Sequence, residues 1–416
     1  MRNERALVSR PDPGSRSLRG ARDELVLKAL GSLMRRVGNG RIKVTMPSGR
    51  STIIGNVGGV EAAVDIRSFS AFSRTVRRAT VGVGESYMNG EWDTPDLGNF
   101  FRFFLDNQPD LDRAGRGVFG RRFTEKLAHS RRSNTRSGSR RNIAAHYDLG
   151  NAFYEHWLDP GMTYSSGLFR DPAMSLEAAQ AAKNTAILDA LRVKPGDRIL
   201  EVGCGWGGFA EAAAKRGAVV TGITISNAQL QYARDRILRQ GLAGSVDLRF
   251  EDYRDVAGDF DHLVSIEMIE AVGEEHWPSY FAMVRDRLRP GGQAVIQAIT
   301  IGDKDFALYR SKPDFIQAFI FPGGMLPTVT LMREQAAAVG LGFESIERFG
   351  ASGYVPTLRM WRERFERAWP QIALLGFDER FRRMWRYYLT YCEVAFERGA
   401  VDVGIYRFQK ADGPAA

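Results

Sequence analysis

The sequence has few cysteines and no long apolar run. Its 416 residues include two cysteines, Cys204 and Cys392, too few for a disulfide framework and without the spacing of a metal site. No stretch reaches the roughly 18–20 apolar residues that a membrane-spanning helix needs. The first 20 residues also lack the apolar core of a signal peptide. These absences predict a cytoplasmic protein without a metal centre, and the length suits two or three domains.

Acidic residues are scarce in the first third of the chain. Residues 1–141 hold 27 Lys and Arg against 14 Asp and Glu, whereas residues 142–416 hold 31 against 35. Residues 113–141 concentrate the excess, with ten basic residues and a single acid. Such a run is either a solvated linker or a contact for a polyanion. Charge alone does not choose between nucleic acid and an anionic membrane.

The pattern of apolar residues divides the chain into three segments. Residues 1–115 contain short strand-like stretches and close on an apolar helix, LGNFFRFFLDN. Residues 116–141 are rich in Ser, Arg and Gly, which predicts a linker. Strands alternate with helices over residues 142–416, which predicts a doubly wound α/β domain with a parallel sheet. Its strands are predicted at 197–203, 218–226, 246–253, 260–268, 291–300 and 402–410, and its helices at 208–217 and 227–242.

The stretch ILEVGCGWGG, residues 199–208, places a glycine-rich turn between a strand and a helix. Glycine at such a turn lets a nucleotide approach the backbone at the end of a parallel strand. The spacing is not the G-x-G-x-x-G of dinucleotide sites, and no acid ends the second strand, GITIS. An acid and two glycines spaced E-x-G-x-G, with two acids after the third strand, are typical of class I methyltransferases. These residues are Glu201, Gly203, Gly205, Glu251 and Asp252. The turn therefore predicts S-adenosylmethionine as the cofactor.

Five motifs after residue 142 occur in an order that is typical of one family. They are HYDLGNAFYEHWLDPGMTYSSGLF, EVGCGWGG, GITISNAQ, SIEMIEAVG and YRSKPDFIQAFIFPGGMLPT. Together they resemble the cyclopropane-fatty-acyl-phospholipid synthases, relatives of the mycolic acid cyclopropane synthases and fatty acid methyltransferases. The first segment resembles the family more weakly, through GVGESYMNGEWD. The resemblance implies a Rossmann-like class I methyltransferase fold with helical lid insertions, preceded by a smaller N-terminal domain.

The resemblance also implies two sets of site residues. The further contacts to S-adenosylmethionine fall on Tyr164, Ser165, Thr224, Gln229 and Ile266. In the family a bound bicarbonate ion acts as the catalytic base. Its contacts fall on Glu270, Tyr354, Gln297, the backbone at Ser166, and Ile299. Bicarbonate is therefore expected as a second cofactor.

Two of these positions depart from the best-known family pattern. Ser166 stands where many members have Cys, a change that the site tolerates because the contact is made through the backbone. Gln297 stands where many members have His, so it keeps a donor for the anion but cannot become cationic or shuttle protons. Without the resemblance, Glu270 reads as an acid at the start of a helix and Tyr354 as an ordinary loop tyrosine.

The implied reaction is methyl transfer to the cis double bond of an unsaturated acyl chain in a membrane phospholipid. The resulting carbocation needs aromatic faces, exclusion of water and a buried base. Loss of a proton from the new methyl group gives a cyclopropane, the family's usual product. Loss of a neighbouring chain proton instead gives a methyl-branched alkene, and loss of the methyl proton without ring closure gives a methylene fatty acid. Aromatic-rich helical insertions over 303–392 are the available wall for an apolar tunnel, although such stripes are more often core.

A lipid substrate requires docking at a membrane surface. We expect residues 1–115 to form a membrane-docking domain, with peripheral membrane association of the cytoplasmic protein and scope for a homodimer. Anionic phospholipid is expected to bind six arginines of the basic segment. These are Arg121, Arg122, Arg131, Arg132, Arg140 and Arg141.

Two other classes of function stay open at this point. An RNA or DNA methyltransferase would suit the basic first third, and a non-catalytic adaptor could retain the same fold. The sequence has neither an N/D-P-P-Y/F/W motif nor a Pro-Cys dipeptide, so no nucleic-acid partner is expected. The intact glycines and the acid and tyrosine at 270 and 354 disfavour an adaptor.

Overall fold

The computed structural model describes residues 13–35, 37–115 and 149–412. The chain divides into two units, residues 1–122 and residues 123–416. The segment predicted as a basic linker lies outside the described residues. Its part in membrane docking therefore stays a prediction.

The N-terminal unit is built around a small mixed sheet. Its elements are α1 (Pro13–Leu33), β1 (Arg41–Thr45), β2 (Ser51–Gly55), β3 (Glu61–Ile66), α2 (Ser70–Met88), β4 (Trp92–Asp93), α3 (Leu97–Asp106) and α4 (Gln108–Gly115). The strand order is β2-β1-β3-β4, with β1 and β3 parallel and the other pairs antiparallel. The apolar helix predicted from LGNFFRFFLDN is α3. Asp96 caps it by accepting a hydrogen bond from the Asn99 amide.

The C-terminal unit alternates strands and helices as the sequence predicts. Its elements are α5 (Asn151–Glu155), α6 (Leu176–Ala190), β5 (Arg198–Val202), α7 (Gly208–Lys215), β6 (Val219–Thr224), α8 (Asn227–Arg239), β7 (Val246–Phe250), β8 (Phe260–Ile266), α9 (Trp277–Arg287), β9 (Leu288–Ile301), α10 (Asp303–Ser311), α11 (Val329–Ala338), β10 (Leu341–Arg348), α12 (Val355–Leu374), α13 (Glu379–Glu397) and β11 (Val401–Lys410). Each predicted strand and helix is present, with ends that move by a few residues. The structure adds β10, which the sequence analysis did not predict.

The large sheet has the order β10-β11-β9-β8-β5-β6-β7. Strands β7, β6, β5, β8 and β9 are parallel neighbours, and β11 runs antiparallel to both β9 and β10. The chain leaves β5 toward β7 and then returns to β8 on the other side of β5. In a doubly wound sheet, ligands bind beyond the carboxyl ends of the strands at such a reversal. This edge is where the predicted site residues should meet.

Helical segments are inserted between the last strands of the large sheet. Helices α10 and α11 lie between β9 and β10, and α12 and α13 lie between β10 and β11. The large side chains Trp361, Phe365 and Trp385 on these two later helices are almost fully buried. This order confirms the predicted lid insertions. Among the described residues, no helix combines the length and apolar character that crossing a membrane requires.

Candidate active site

The glycine-rich turn predicted to hold the cofactor connects β5 to α7. Gly203 and Gly205 have φ values of +85° and +51°, which residues with a Cβ rarely adopt. A Cβ on Gly205 would meet no described atom within 4 Å, so a ligand can lie against its backbone. Glu201 is buried on β5, and its Oε2 has no hydrogen-bond partner among the described residues. An open turn beside an unpartnered carboxyl group fits S-adenosylmethionine, which carries an ammonium group and ribose hydroxyls.

The carboxyl ends of β6 and β7 hold four more of the predicted cofactor contacts. Thr224 ends β6 and donates its hydroxyl to Gln229 Oε1 at 3.1 Å. The Glu251 amide donates to the Thr224 carbonyl at 3.1 Å, which places the end of β7 beside the end of β6. Asp252 is buried and accepts from Nε and Nη2 of Arg254 at 2.8 and 2.7 Å. The four residues thus lie along one edge of the sheet.

The remaining predicted cofactor contacts lie on either side of this edge. Ile266 is the last residue of β8. The Tyr164 and Tyr388 hydroxyls share a hydrogen bond of 2.9 Å, which ties the segment before α6 to the lid helix α13. The Ser165 hydroxyl accepts from Lys183 Nζ at 2.6 Å. The structure therefore connects the predicted cofactor residues to a buried lysine that the sequence analysis did not single out.

Lys183 lies on α6 and is completely buried. Burial lowers its pKa to about 8, while the neighbouring carboxyl groups of Glu267, Asp159 and Glu201 raise it. Burial raises the pKa of Glu201 well above its ordinary value, and the charge of Lys183 lowers it in turn. Lys183 is therefore a buried positive charge whose partners are carboxyl groups on separate segments.

The groups predicted to hold a bicarbonate ion converge on the carboxylate of Glu267. Its Oε1 accepts from the Ser166 amide at 2.9 Å and from Gln297 Nε2 at 2.8 Å. Its Oε2 accepts from the Tyr354 hydroxyl at 2.6 Å. Tyr354 ends a π-helical turn, Gly350–Tyr354, that leads into α12. Three of the five predicted anion contacts therefore bind a side chain of the protein itself.

The other two predicted anion contacts bind each other. The Ile299 amide on β9 donates to Glu270 Oε1 at 2.6 Å. Glu270 Oε2 is buried and has no hydrogen-bond partner in the described part of the chain. Glu270 lies in a short 3-10 turn that follows β8, three residues beyond Glu267.

The two glutamates differ in how well their negative charges are stabilised. Burial and the nearby charge of Glu267 together raise the pKa of Glu270 to about 8. Burial also raises the pKa of Glu267, but Tyr354, the Ser166 amide, Lys183 and Gln297 all lower it. Glu270 is therefore the member of the pair that keeps its proton at neutral pH, whereas four neighbours favour the ionised form of Glu267.

This arrangement does not fit a separate bicarbonate ion. Two of its expected N–H donors and the expected phenol already donate to Glu267. A second anion on the same donors would also face the charge of that carboxylate at hydrogen-bond range, which is strongly unfavourable in a buried site.

Aromatic side chains surround the carboxylate and the cofactor edge. The Tyr354 ring stacks on Phe396, with 4.4 Å between ring centroids, and meets Trp361 edge-on at 6.2 Å. Trp361 in turn lies 5.3 Å from Tyr164, and Trp157 lies 5.6 Å from both of those rings. The aromatic cluster thus extends from the base to the cofactor side and offers ring faces to a cation on a substrate.

Sequence reasoning missed Glu267 and Lys183. Glu267 stands inside the quoted motif SIEMIEAVG, near the end of the strand predicted at 260–268. Its backbone has φ +49°, a left-handed conformation that a glutamate in the sequence does not predict. Lys183 sits in the ordinary helical sequence AAQAAKNTAI. An ionisable residue at an otherwise apolar helix position was the one signal that could have found it.

The fold and this edge of the sheet define a class I methyltransferase that uses S-adenosylmethionine. The match to known proteins is consistent with this class. The family model described as mycolic acid cyclopropane synthetase matches residues 134–406. The chain belongs to this family.

Curated relatives and solved structures agree. The chain is 40% identical over 339 residues to the tuberculostearic acid methyltransferase UfaA1 of Mycobacterium tuberculosis, covering 79% of each chain. It is 39% identical over 346 residues to the cyclopropane-fatty-acyl-phospholipid synthase of Escherichia coli K12, covering 82% of this chain and 85% of the relative. The crystal structure of the mycolic acid cyclopropane synthase CmaA1 with SAH and CTAB has a TM-score of 0.61 and 30% identity, covering 65% of this chain and 98% of that one. The relatives support modification of fatty acyl chains as the activity.

Proposed function

We propose that this enzyme transfers a methyl group to the cis double bond of an unsaturated acyl chain in a membrane phospholipid and closes the product to a cyclopropane. The observation that carries the proposal is the buried carboxyl group of Glu267, hydrogen-bonded to Tyr354 within an aromatic cluster. Alkylation of a neutral alkene creates a carbocation, which requires both aromatic faces and a base. Both lie beside the cofactor turn in this chain.

Different residues of the chain would bind the cofactor, stabilise the cation and accept the proton. S-adenosylmethionine, when bound, supplies a methyl group on a positively charged sulfur. The turn at Gly203 and Gly205 would bind it against the backbone, beside Thr224 and Gln229. The rings of Tyr164, Trp361 and Tyr354 would exclude water from the alkene carbons and stabilise the cation that forms. A C–H bond of the new methyl group then breaks, its electron pair closes the ring, and the proton passes to the base.

A methyl-branched product is the second candidate. It is favoured by the 40% identity to a relative named as a tuberculostearic acid methyltransferase, against 39% for one named as a cyclopropane synthase. The two products share the methyl transfer and differ in which proton the base removes. A difference of about an ångström in the position of the cation relative to the base is enough to change that choice.

The experiment that tests the function also separates the products. Purified protein is incubated with S-adenosylmethionine that carries a trideuterated methyl group and with vesicles of an unsaturated anionic phospholipid. We expect a lipid that keeps two of the three deuterium atoms and has lost its double bond. Retention of all three deuterium atoms with an alkene still present would show the methyl-branched product instead. Label in RNA added as an alternative acceptor, with none in lipid, would contradict the proposal.

Membrane association is part of the same proposal. A double bond inside a bilayer is out of reach of a protein that does not dock on the lipid surface. Residues 1–141 carry the excess of positive charge, so docking on anionic phospholipid is the proposed role of the N-terminal unit and the basic segment. The cytoplasmic face of a membrane is where such lipids are found.

A further inference from the structure

We propose that the carboxylate of Glu267 is the built-in base of this enzyme, in the position where the family resemblance implies a bicarbonate ion. The inference rests on the proposed alkylation of an acyl chain. It assigns a catalytic role to a residue of the chain and removes the need for a soluble anion.

The first argument is the donor set around Glu267. Carboxylate and bicarbonate both present two oxygens in a plane around one carbon, so the same donors suit either. The Ser166 amide, Gln297 Nε2 and the Tyr354 hydroxyl all donate to Glu267, at 2.9, 2.8 and 2.6 Å. Each carboxylate oxygen has about two lone-pair sites. Oε1 therefore has both occupied, whereas Oε2 accepts one of these bonds and has one site left for a proton.

The second argument is the backbone of Glu267. Its φ of +49° is a left-handed conformation that is strained for a residue with a Cβ. Its amide donates to the Gln297 carbonyl at 2.8 Å, so the neighbouring strand β9 holds the strained residue in place. Strain of this kind persists where the surrounding structure over-determines it, typically at functional sites. Here it directs the carboxylate to the three donors instead of continuing the direction of β8.

The third argument is electrostatic. Lys183 supplies a buried positive charge that favours the ionised form of Glu267. Glu270, three residues further along the chain, has a pKa of about 8 and so keeps its proton at neutral pH. Two acids whose surroundings push their pKa values apart indicate which of them can act as the base, and here that acid is Glu267.

The step balances without a further reactant. A C–H bond of the alkylated chain breaks, its electrons form the carbon–carbon bond that closes the ring, and the proton binds Glu267 Oε2. The carboxyl group is then neutral, and its proton leaves to solvent after the product dissociates. No oxidant or reductant takes part.

Two variants of the full chain test the assignment. Glu267→Gln keeps the size of the side chain and removes its basicity. Glu267→Gly removes the side chain and its basicity, and glycine adopts the left-handed backbone without strain. Glu363→Gln, at an exposed position on α12, is the matched control. Turnover is measured in buffer freed of carbon dioxide and again with added bicarbonate, and binding of carbon-13 bicarbonate is followed separately by NMR.

We expect wild-type turnover to stay within about twofold whether or not bicarbonate is present, with no bicarbonate bound. Glu267→Gln should lose about 100- to 10,000-fold in turnover, the usual contribution of a general base, and should not recover. Glu267→Gly should bind bicarbonate on the vacated donors and regain at least tenfold of its lost turnover when the ion is added.

Two results would overturn the assignment: wild-type enzyme that binds bicarbonate and loses turnover without it, or Glu267→Gln with near-normal turnover. The NMR measurement needs no turnover, so it shows independently of the reaction whether bicarbonate binds to these donors. Wild-type enzyme that binds no bicarbonate and alkylates no lipid would instead refute the proposed function.

Discussion

The two units of the chain use charge in opposite ways. In the N-terminal unit, Arg74 reaches Glu85 and Glu91 at 3.1 and 2.8 Å, and all three side chains keep contact with solvent. In the C-terminal unit, Lys183 is completely buried among carboxyl groups. Exposed ion pairs contribute about 0–1 kcal/mol to stability and can be exchanged, whereas buried charges cost several kcal/mol to desolvate.

This difference in the placement of charge bears on the role of each unit. A surface that carries excess positive charge attracts anionic partners at long range, and salt weakens that attraction. Buried charges do not attract partners at long range, and a buried ionisable group with charged neighbours in a cleft is a candidate functional site. Substitutions in either unit test this difference, and we expect the largest effect at the cofactor turn.

Gly205→Val should abolish binding of S-adenosylmethionine. A β-branched side chain is strained at φ +51° and would fill the open space that faces the turn. Titration calorimetry of the full chain should show no detectable heat of binding. Gly244→Val is the control, because that glycine has no positive φ and a Cβ there would meet no described atom. Normal affinity in Gly205→Val would remove the turn from the cofactor site.

Tyr354→Phe should lower turnover by about 100-fold or more while the affinity for S-adenosylmethionine stays within about twofold. The variant removes the donor to Glu267 Oε2 but keeps the ring that stacks on Phe396. Initial rates of lipid labelling and calorimetry measure the two effects. Tyr232→Phe on α8 removes a hydroxyl from a half-buried tyrosine and serves as the control. Equal losses in both variants would contradict a specific role for Tyr354.

Glu270 should make the folded state less stable as pH rises. Its pKa is raised from the ordinary value of 4.5 to about 8 in the folded chain. Its contribution to stability is therefore complete below about pH 4.5 and is lost as pH rises through about 8, with a slope of up to about 1.4 kcal/mol per pH unit. The free energy of unfolding in urea, measured from pH 5 to 8, should fall more steeply for wild type than for Glu270→Gln. Parallel pH dependences would contradict the raised pKa.

Replacing Arg131 or Arg132 by Ser should give the smallest effect. Each arginine near an anionic surface contributes about 1 kcal/mol, which is roughly a fivefold change in vesicle affinity at low salt. Co-sedimentation with anionic vesicles measures it, and neutral vesicles are the control. Binding that is equal on both vesicles and insensitive to salt would assign docking to something other than these arginines.

The large sheet could be predicted from sequence because its signals are local. Strand β5 is a short apolar run, and the glycine turn that ends it is contiguous with it. Strand β10 was not predicted, since its polar and apolar residues follow no clear alternation and its place depends on pairing with β11, about 60 residues later in the chain. The edge strand β10 is defined by its pairing with β11 more than by its own sequence.

The candidate site was predictable only in part. The motifs gave its residues but not which of them bind one another. Glu267 receives hydrogen bonds from residues that are 101, 30 and 87 positions away along the chain. The left-handed backbone of Glu267, which helps to direct its side chain to these donors, is not visible in the residue pattern.

The left-handed backbone at Glu267 also has a genetic consequence. Glutamate codons become glycine codons by one change at their second base, and glycine adopts this conformation without strain. A single mutation would therefore convert an enzyme with its own base into one with a vacant, donor-lined cavity, while the surrounding strands and turns stay as they are. An enzyme with its own base could therefore evolve into one that requires bicarbonate, or the reverse, without passing through a form with a disrupted backbone.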